Sequence, residues 1–179
     1  MDGIPVLETD RLRLRPHRVD DYADCCAMWA DPDVTRFIGG RPSTPQQTWS
    51  RLLTYMGHWK AMGFGYWAIE EKATGAYAGE IGFADFKRDI AESMSNVPEL
   101  GFALRSAMHG RGYGTEAVGA VVSWGDAHLP SNRTVALVNE DNQRSLRILE
   151  RYGYHTFHRA QFNGSPVMFL ERSRSVSTR

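Results

Sequence analysis

Three alternate glycines between a predicted strand and a predicted helix constrain this chain most. The segment reads His109, Gly110, Arg111, Gly112, Tyr113, Gly114, Thr115, Glu116, Ala117. Glycines at the start of a helix leave backbone N–H groups exposed where the positive end of the helix dipole attracts anions. Arg111 could add charge-assisted hydrogen bonds. The segment therefore predicts a phosphate-binding turn, although a tight strand-to-helix turn without a ligand would use the same glycines.

Two familiar phosphate-binding patterns do not match this turn. A P-loop ends in Gly-Lys-Ser or Gly-Lys-Thr, which the segment lacks. A dinucleotide-binding fingerprint needs its third glycine three residues after the second, near the start of a parallel unit, whereas here the glycines alternate and lie past mid-chain. A nucleotide-phosphate hydrolase is disfavoured for the first reason, and because no metal-binding acidic pair accompanies the loop.

Hydrophobic periodicity predicts more strands than helices, in a mixed order. The predicted strands are 11–15, 66–70, 77–86, 99–104, 134–138, 154–161 and 166–171; the predicted helices are a short one capped by Asp20 or Asp21, one from Thr44, one over about 112–127 and one opened by Asp141 or Asn142. This order predicts an α+β fold around one largely antiparallel sheet.

Local signals mark several element ends. Thr44, Pro45 and Gln47 form a capping box with proline in the first turn. Gly153 is typical of a left-handed helix C-cap. The pair Asn163–Gly164 predicts a tight hairpin.

Composition bounds the class of protein. A chain of 179 residues with 42% apolar residues suits one domain, expected over 7–171, and the Ser/Arg-rich residues 172–179 are expected to form a disordered tail. Equal numbers of basic and acidic residues remove any overall electrostatic drive toward nucleic acid or an anionic membrane. No apolar run approaches the ~20 residues that span a bilayer, and the N-terminus lacks a signal-peptide pattern.

The cysteines and histidines indicate neither disulfides nor a metal. Cys25 and Cys26 are neighbours, so their side chains diverge on a helix and cannot easily bridge. A reducing, cytoplasmic location is expected. The six histidines show no ligand spacing, and no metal site is expected.

The glycine segment and its surroundings resemble a known family. Glu99-Leu100-Gly101-Phe102-Ala103-Leu104 followed by Gly-Arg-Gly-Tyr-Gly-Thr-Glu-Ala resembles motif A of the GNAT N-acetyltransferases. Asn142-Gln143-Arg144-Ser145 with Leu149-Glu150-Arg151-Tyr152-Gly153-Tyr154 resembles motif B. The opening Glu8-Thr9-Asp10-Arg11-Leu12-Arg13-Leu14-Arg15-Pro16 is similar to that of the RimJ/RimL-like branch, and the resemblance covers roughly residues 7–171.

The resemblance implies the GNAT fold and acetyl-CoA as co-substrate. That fold has a central, mostly antiparallel mixed sheet with a splayed pair of strands and helices on both faces. The pantetheine arm would pair with Phe102, Ala103 and Leu104, and the pyrophosphate would bind the loop residues Gly110, Arg111, Gly112, Tyr113, Gly114 and Thr115. His109 stands where the family often has Gln or Arg. Asn142 matches the family's asparagine, which would order the cofactor arm, the helix start, or both.

Transfer of an acetyl group to an amine needs a proton acceptor and stabilisation of the leaving thiolate. Many relatives use a tyrosine as the acid, at the place that Leu149 occupies here. The RimJ/RimL-like branch has a serine that matches Ser145, which could also be an ordinary first-turn serine. Glu99, at the head of the splayed strand, is the first candidate base and Glu80, on the neighbouring strand, the second; solvent could also take the proton.

The acceptor is left open between a protein N-terminus, an amino acid, a polyamine and an aminoglycoside. The helices near Trp29 and Trp49 and the loop 87–98 are expected to shape its pocket, and the acids of the stretch Arg88-Asp89-Ile90-Ala91-Glu92-Ser93 would attract a cationic amine. A non-catalytic module that binds or senses acyl-CoA on the same fold is the alternative function. A homodimer is possible.

Overall fold

A computed structural model describes residues 3–88 and 96–174 of the chain. Its strands are β1 (Leu7–Glu8), β2 (Leu12–Pro16), β3 (Tyr66–Glu71), β4 (Tyr77–Ala84), β5 (Glu99–Leu104), β6 (Arg133–Asn139), β7 (His155–Phe162) and β8 (Ser165–Ser173). Its helices are α1 (Tyr22–Trp29), α2 (Pro32–Thr35), α3 (Pro45–Met62), α4 (Tyr113–His128) and α5 (Gln143–Arg151).

The described strands form one eight-stranded sheet in the order β1-β2-β3-β4-β5-β6-β8-β7. All neighbouring pairs are antiparallel except β5 and β6, which are parallel. Parallel strands need a crossover connection, and the segment that joins β5 to β6 contains α4. The predicted α+β class and the mostly antiparallel mixed sheet are confirmed.

Helices cover both faces of the sheet. On one face, α4 packs Ala117, Val118 and Val121 into a core that includes Phe83 and Leu100. On the other face, a smaller cluster joins residues of α1 and α3 to the strands; it contains Cys25, Met28, Trp29, Leu52, Ala68, Tyr77 and Ala103. The strand β5 therefore lies between two packed layers, and its side chains alternate between them.

Local signals placed several boundaries. Thr44 accepts the N–H of Gln47, the Gln47 side chain accepts the N–H of Thr44, and α3 begins at Pro45, as the capping box predicts. Gly153 has a φ of 84° after the end of α5. Asn163–Gly164 forms the hairpin turn between β7 and β8, with both φ angles positive.

Three expectations about the fold differ from the structure. The carboxylate of Asp21 accepts the N–H of Arg18 and binds the guanidinium of Arg15, so it does not cap α1 through its side chain. β8 continues to Ser173, because Arg172 is held there by the carboxylate of Asp126 at 2.6 and 2.7 Å. Residues 172 and 173, which were expected in a disordered tail, therefore belong to β8, and residues 175–179 lie outside the described part. The sequence patterns also did not predict β1 and α2.

Candidate active site

The parallel strands β5 and β6 separate along their length. They share one paired position, Glu99 with Val135, where the N–H of Val135 donates to the carbonyl of Pro98 at 3.0 Å. In contrast, β5 pairs with β4 at six positions, from Gly79–Leu104 to Ala84–Glu99. The splayed pair of strands is thus present, and it opens toward Leu104.

A cleft of about 840 Å³ occupies the opening. It is bounded by the far half of β5, the glycine loop and the first turn of α5. Every cofactor-binding residue expected from the sequence lines it except Arg111; these are Phe102, Ala103, Leu104, His109, Gly110, Gly112, Tyr113, Gly114, Thr115, Asn142 and Ser145. The tertiary fold therefore brings motif A and motif B to the two sides of one cleft.

The glycine loop presents the N-terminus of α4 to this cleft. Gly110 and Gly112 have left-handed φ angles of 74° and 79°, a region that residues with a Cβ rarely adopt. A Cβ added at Gly112 would have Nη2 of Arg11 as its nearest atom, at 3.3 Å, so the φ angle is the stronger reason for glycine. No described side chain caps α4, and the first N–H bonded within the helix is that of Glu116, at 3.1 Å from the carbonyl of Gly112. The preceding N–H groups are available to an anion.

Arg111 does not point its guanidinium into the cleft. Its Nη2 lies 2.7 Å from Oε1 of Glu71 at the end of β3, and its Nη1 lies 3.3 Å from the sulfur of Met108. The hydroxyl of Tyr113 donates to the same oxygen of Glu71. The side chains of Arg111 and Tyr113 therefore brace the loop against the sheet, and the phosphate contact expected from the Arg111 side chain is replaced by this ion pair.

A second brace, which the sequence patterns did not reveal, holds the first turn of α4. Oε1 of Glu116 accepts the hydroxyl of Thr9 at 2.6 Å and the N–H of Arg11 at 2.8 Å, and its Oε2 accepts Nε of Arg11 at 2.7 Å. Nη1 of Arg11 also donates to the carbonyl of Arg111 at 2.8 Å. The residues before β2 thus fix the loop conformation from behind.

His109 contacts the end of β5 through one of its ring nitrogens. Its Nε2 lies 2.9 Å from the carbonyl oxygen of Leu104. One ring nitrogen therefore ties the loop to the end of β5, and Nδ1 is the ring atom left for a ligand.

Asn142 and Ser145 form the first turn of α5 at the cleft wall. Oδ1 of Asn142 accepts the N–H of Ser145 at 3.2 Å, so Asn142 is the N-cap of this helix. The Ser145 hydroxyl is not used in that contact. Leu149, at the place of the family's tyrosine, is 1% exposed and belongs to the core.

Three arginines line the cleft that sequence reasoning did not single out. They are Arg36, after α2, and Arg144 and Arg147 on α5. Two of them lie on α5, the helix of motif B. The excess of arginine over lysine in that segment is the sequence feature that could have pointed to them. Guanidinium groups are well suited to phosphate, so they add positive charge to a cleft that already has a helix N-terminus.

A second cavity of about 420 Å³ adjoins the cleft. The two share Ile38, Phe102 and Ala103, so they meet beside β5. Trp29 lines the second cavity as expected, whereas Trp49 does not and packs edge-on against Tyr22. The acidic residues expected from the loop, Asp89 and Glu92, lie outside the described residues.

Both candidate bases, Glu80 and Glu99, line the second cavity, in different environments. Glu80 is buried; its Oε1 accepts the hydroxyl of Tyr55 at 2.7 Å and its Oε2 that of Tyr77 at 3.1 Å. Burial raises the pKa of Glu80 above its ordinary value, against these hydrogen bonds. Glu99 instead binds Arg88 through both oxygens, at 2.8 and 3.0 Å.

The cysteines take no part in either cavity. Cys25 is 2% exposed and its sulfur lies 3.4 Å from the hydroxyl of Tyr77. Burial raises the pKa of Cys25 to about 12, so the thiol stays protonated at neutral pH. Neither Cys25 nor Cys26 lines the cleft or the second cavity.

The described residues contain neither a cluster of metal ligands nor a membrane-spanning helix. Within residues 3–88 and 96–174, no three His, Cys, Asp or Glu side chains are grouped so that they could hold a metal ion. Over the same ranges, no helix has both the length and the apolar character to cross a membrane.

The fold and the cleft indicate a protein of the acyltransferase class, and the comparison with known families agrees. The model of the GNAT acetyltransferase domain matches residues 11–155, so the chain belongs to the GNAT acetyltransferases. This family uses acetyl-CoA as co-substrate.

Individual relatives cover nearly the whole chain. YoaA of Bacillus subtilis, an uncharacterized N-acetyltransferase, is 30% identical over 151 residues, 84% of this chain and 82% of YoaA. A GNAT-family acetyltransferase structure from Bordetella pertussis has a TM-score of 0.86 at 34% identity and covers 95% of this chain and 100% of that one. The acetyltransferase that modifies the N-terminal serine of ribosomal protein L7/L12 in Salmonella typhimurium shares the fold, with a TM-score of 0.76 at 14% identity over 96% of this chain and all of its own.

Proposed function

We propose that this protein transfers an acetyl group from acetyl-CoA directly to a primary amine. The observation that carries the proposal is the junction of the two cavities at Phe102 and Ala103. The larger cavity has a helix N-terminus and arginines, which suit a diphosphate. The smaller one has the buried carboxylate of Glu80 beside the junction, which suits an amine.

Acetyl-CoA, when bound, supplies the acetyl group as a thioester. The N–H groups from Tyr113 to Thr115 would bind its pyrophosphate, and the open edge of β5 at Phe102–Leu104 would pair with the amides of its arm. Both are main-chain contacts, so they need the left-handed glycines and the braces behind the loop more than any one side chain. Arg144 and Arg147 would add charge along the cleft wall.

Glu80 is the better placed base, which reverses the order that the sequence analysis favoured. Glu80 pairs across the sheet with Ala103, where the cavities meet, while Glu99 pairs with Ala84. Ala103 lies four positions after Glu99 along β5, a distance of about 13 Å at roughly 3.3 Å per residue. In addition, Arg88 holds both oxygens of Glu99 in an ion pair, whereas the hydroxyls that donate to the two oxygens of Glu80 are uncharged.

The chemical step then needs few groups. Glu80 takes a proton from the ammonium form of the acceptor, directly or through a water, and the free amine nitrogen forms a bond to the acetyl carbon. The carbon–sulfur bond breaks, and the second proton on nitrogen passes to the departing thiolate, which leaves an amide and the thiol of coenzyme A. The hydroxyl of Ser145 donates a hydrogen bond to the sulfur as negative charge develops on it. Because both cysteines lie outside the cavities and Cys25 stays a thiol, no acetyl-cysteine intermediate is required.

Two measurements on the full chain test this proposal. Isothermal titration with acetyl-CoA measures binding, and a thiol-release assay over a panel of amines measures transfer. We expect binding together with amine-dependent release of coenzyme A. Binding without release over the whole panel would instead support the non-catalytic acyl-CoA module, and absence of binding would reject both functions.

A further inference from the structure

The second cavity contains an arginine without a carboxylate partner among the described residues. Arg51, on α3, lies with its guanidinium carbon 3.7 Å from the centre of the Trp29 ring. Its Nη1 donates to the hydroxyl of Ser43 at 3.3 Å, and residues 3–88 and 96–174 place no acidic oxygen within ion-pair distance of it. The aromatic ring and one long hydrogen bond hold the guanidinium in position and leave most of its donors unused.

Among the described residues, the other charges of this cavity reduce to one, that of Glu80. Arg88 and Glu99 neutralise each other through two hydrogen bonds. Glu80 has only uncharged partners, the hydroxyls of Tyr55 and Tyr77. The charge of Arg51 lowers the pKa of Glu80, against the effect of burial, so the two groups lie within each other's field. Within the described part of the chain, the cavity thus offers one negative group at the junction with the cleft, Glu80, and one positive group on α3, Arg51.

We infer that the acceptor is a small amine that also carries a carboxylate, in the class of free α-amino acids, with its amine at Glu80 and its carboxylate at Arg51. The inference rests on the proposed acetyltransferase function. A polyamine or an aminoglycoside would bring further ammonium groups toward Arg51, which repels them. A protein N-terminus has no carboxylate beside its amine, because that group is an amide.

The size and walls of the cavity agree with this class. A volume of about 420 Å³ lies within the range of small-molecule sites. Aromatic rings form much of its wall: Tyr55 and Tyr66 are stacked with centroids 4.3 Å apart, and Trp29, Phe86 and Phe102 also line the cavity. Such walls suit an apolar amino-acid side chain better than a strongly hydrated one.

The first test compares acceptors with the unmodified protein. Values of kcat/KM are measured for the standard amino acids, and the best one is compared with its amide, its decarboxylated amine, a polyamine and a C-terminally amidated tripeptide with a free N-terminus. We expect kcat/KM for the amino acid to exceed that for each of the other acceptors by at least tenfold, because they lack the α-carboxylate that Arg51 would bind. Equal or faster transfer to the amide, polyamine or peptide overturns the inference and leaves the acetyltransferase function standing. If acetyl-CoA does not bind or no amine is acetylated, the proposed function fails and the inference fails with it.

The second test removes the charge. In Arg51→Gln the preference for the amino acid over its amide should fall to about onefold, mainly through a higher KM for the amino acid, and Arg51→Lys should restore part of it. Arg41→Gln is the matched control, because Arg41 is exposed and lines neither cavity. A preference that survives in Arg51→Gln overturns the role of Arg51. Far-ultraviolet circular dichroism of each variant checks folding, and the comparison of acceptors needs no variant.

Discussion

A buried histidine beneath the second cavity makes the stability of this protein sensitive to acid. His17 is 2% exposed, stacks on Tyr55 with ring centroids 5.3 Å apart, and has no hydrogen-bond partner for either ring nitrogen among the described residues. Burial lowers the pKa of His17 from 6.5 to about 4, against the attraction of Asp21. Between these values the unfolded chain binds more protons than the folded one, so the free energy of unfolding falls as the pH falls.

The two pKa values give the size of the effect. From pH 7.5 to pH 5 the contribution of His17 to the free energy of unfolding falls by about 2 kcal/mol, and the full loss below pH 4 is about 3 kcal/mol. Urea unfolding of the parent and of His17→Gln is measured over this range. Glutamine does not titrate, so any constant cost of the amide leaves the slope unaffected. The parent should lose about 2 kcal/mol more than the variant by pH 5; parallel pH profiles would refute the reasoning.

Three further changes test the cleft and the catalytic groups. Gly112→Val forces a β-branched residue to a φ of 79° and displaces the N–H groups of α4, so calorimetry should show at least a tenfold loss of acetyl-CoA affinity, about 1.4 kcal/mol; Gly164→Val, at a φ of 78° in a hairpin that lines neither cavity, should keep the affinity. Ser145→Ala should lower kcat about tenfold at nearly constant acetyl-CoA affinity, and unchanged turnover would leave Ser145 a structural residue. Glu80→Gln should need a higher pH to reach a given rate, because solvent must then supply free amine, while Glu99→Gln keeps the parent's pH profile. The reverse pattern would make Glu99 the base, and no shift in either variant would mean catalysis by positioning alone.

The sequence predicted the parts of the fold that depend on neighbours along the chain. The capping box at Thr44 and the hairpin at Asn163–Gly164 are local hydrogen-bond and φ-angle preferences, and both appear where the sequence places them. β5 has the predicted bounds, Glu99–Leu104, because its turn and strand signals are adjacent. The short elements β1 and α2 escaped prediction, since two or four residues carry too little periodicity.

The side-chain contacts of the candidate site could not be predicted from neighbouring residues along the chain. Arg111 follows the phosphate-binding pattern. In the folded protein, however, Glu71 at the end of β3 lies 2.7 Å from its guanidinium, and the two side chains form an ion pair. Likewise the ranking of Glu99 over Glu80 rested on position along the strands. It did not account for Arg88, which reaches Glu99 from another segment.

The sequence alone determined the glycine loop, the strand before it and the helix after it, because φ preferences, capping and periodicity act over a few residues. Only the tertiary structure decided which charges remain unpaired. It assigned Arg88 to Glu99, surrounded Glu80 with tyrosines, and left Arg51 against Trp29 without a described acidic partner. The physical reason is that a charge is neutralised by whatever lies within a few ångströms of it, and residues 51 and 80 become neighbours only when α3 packs on the sheet.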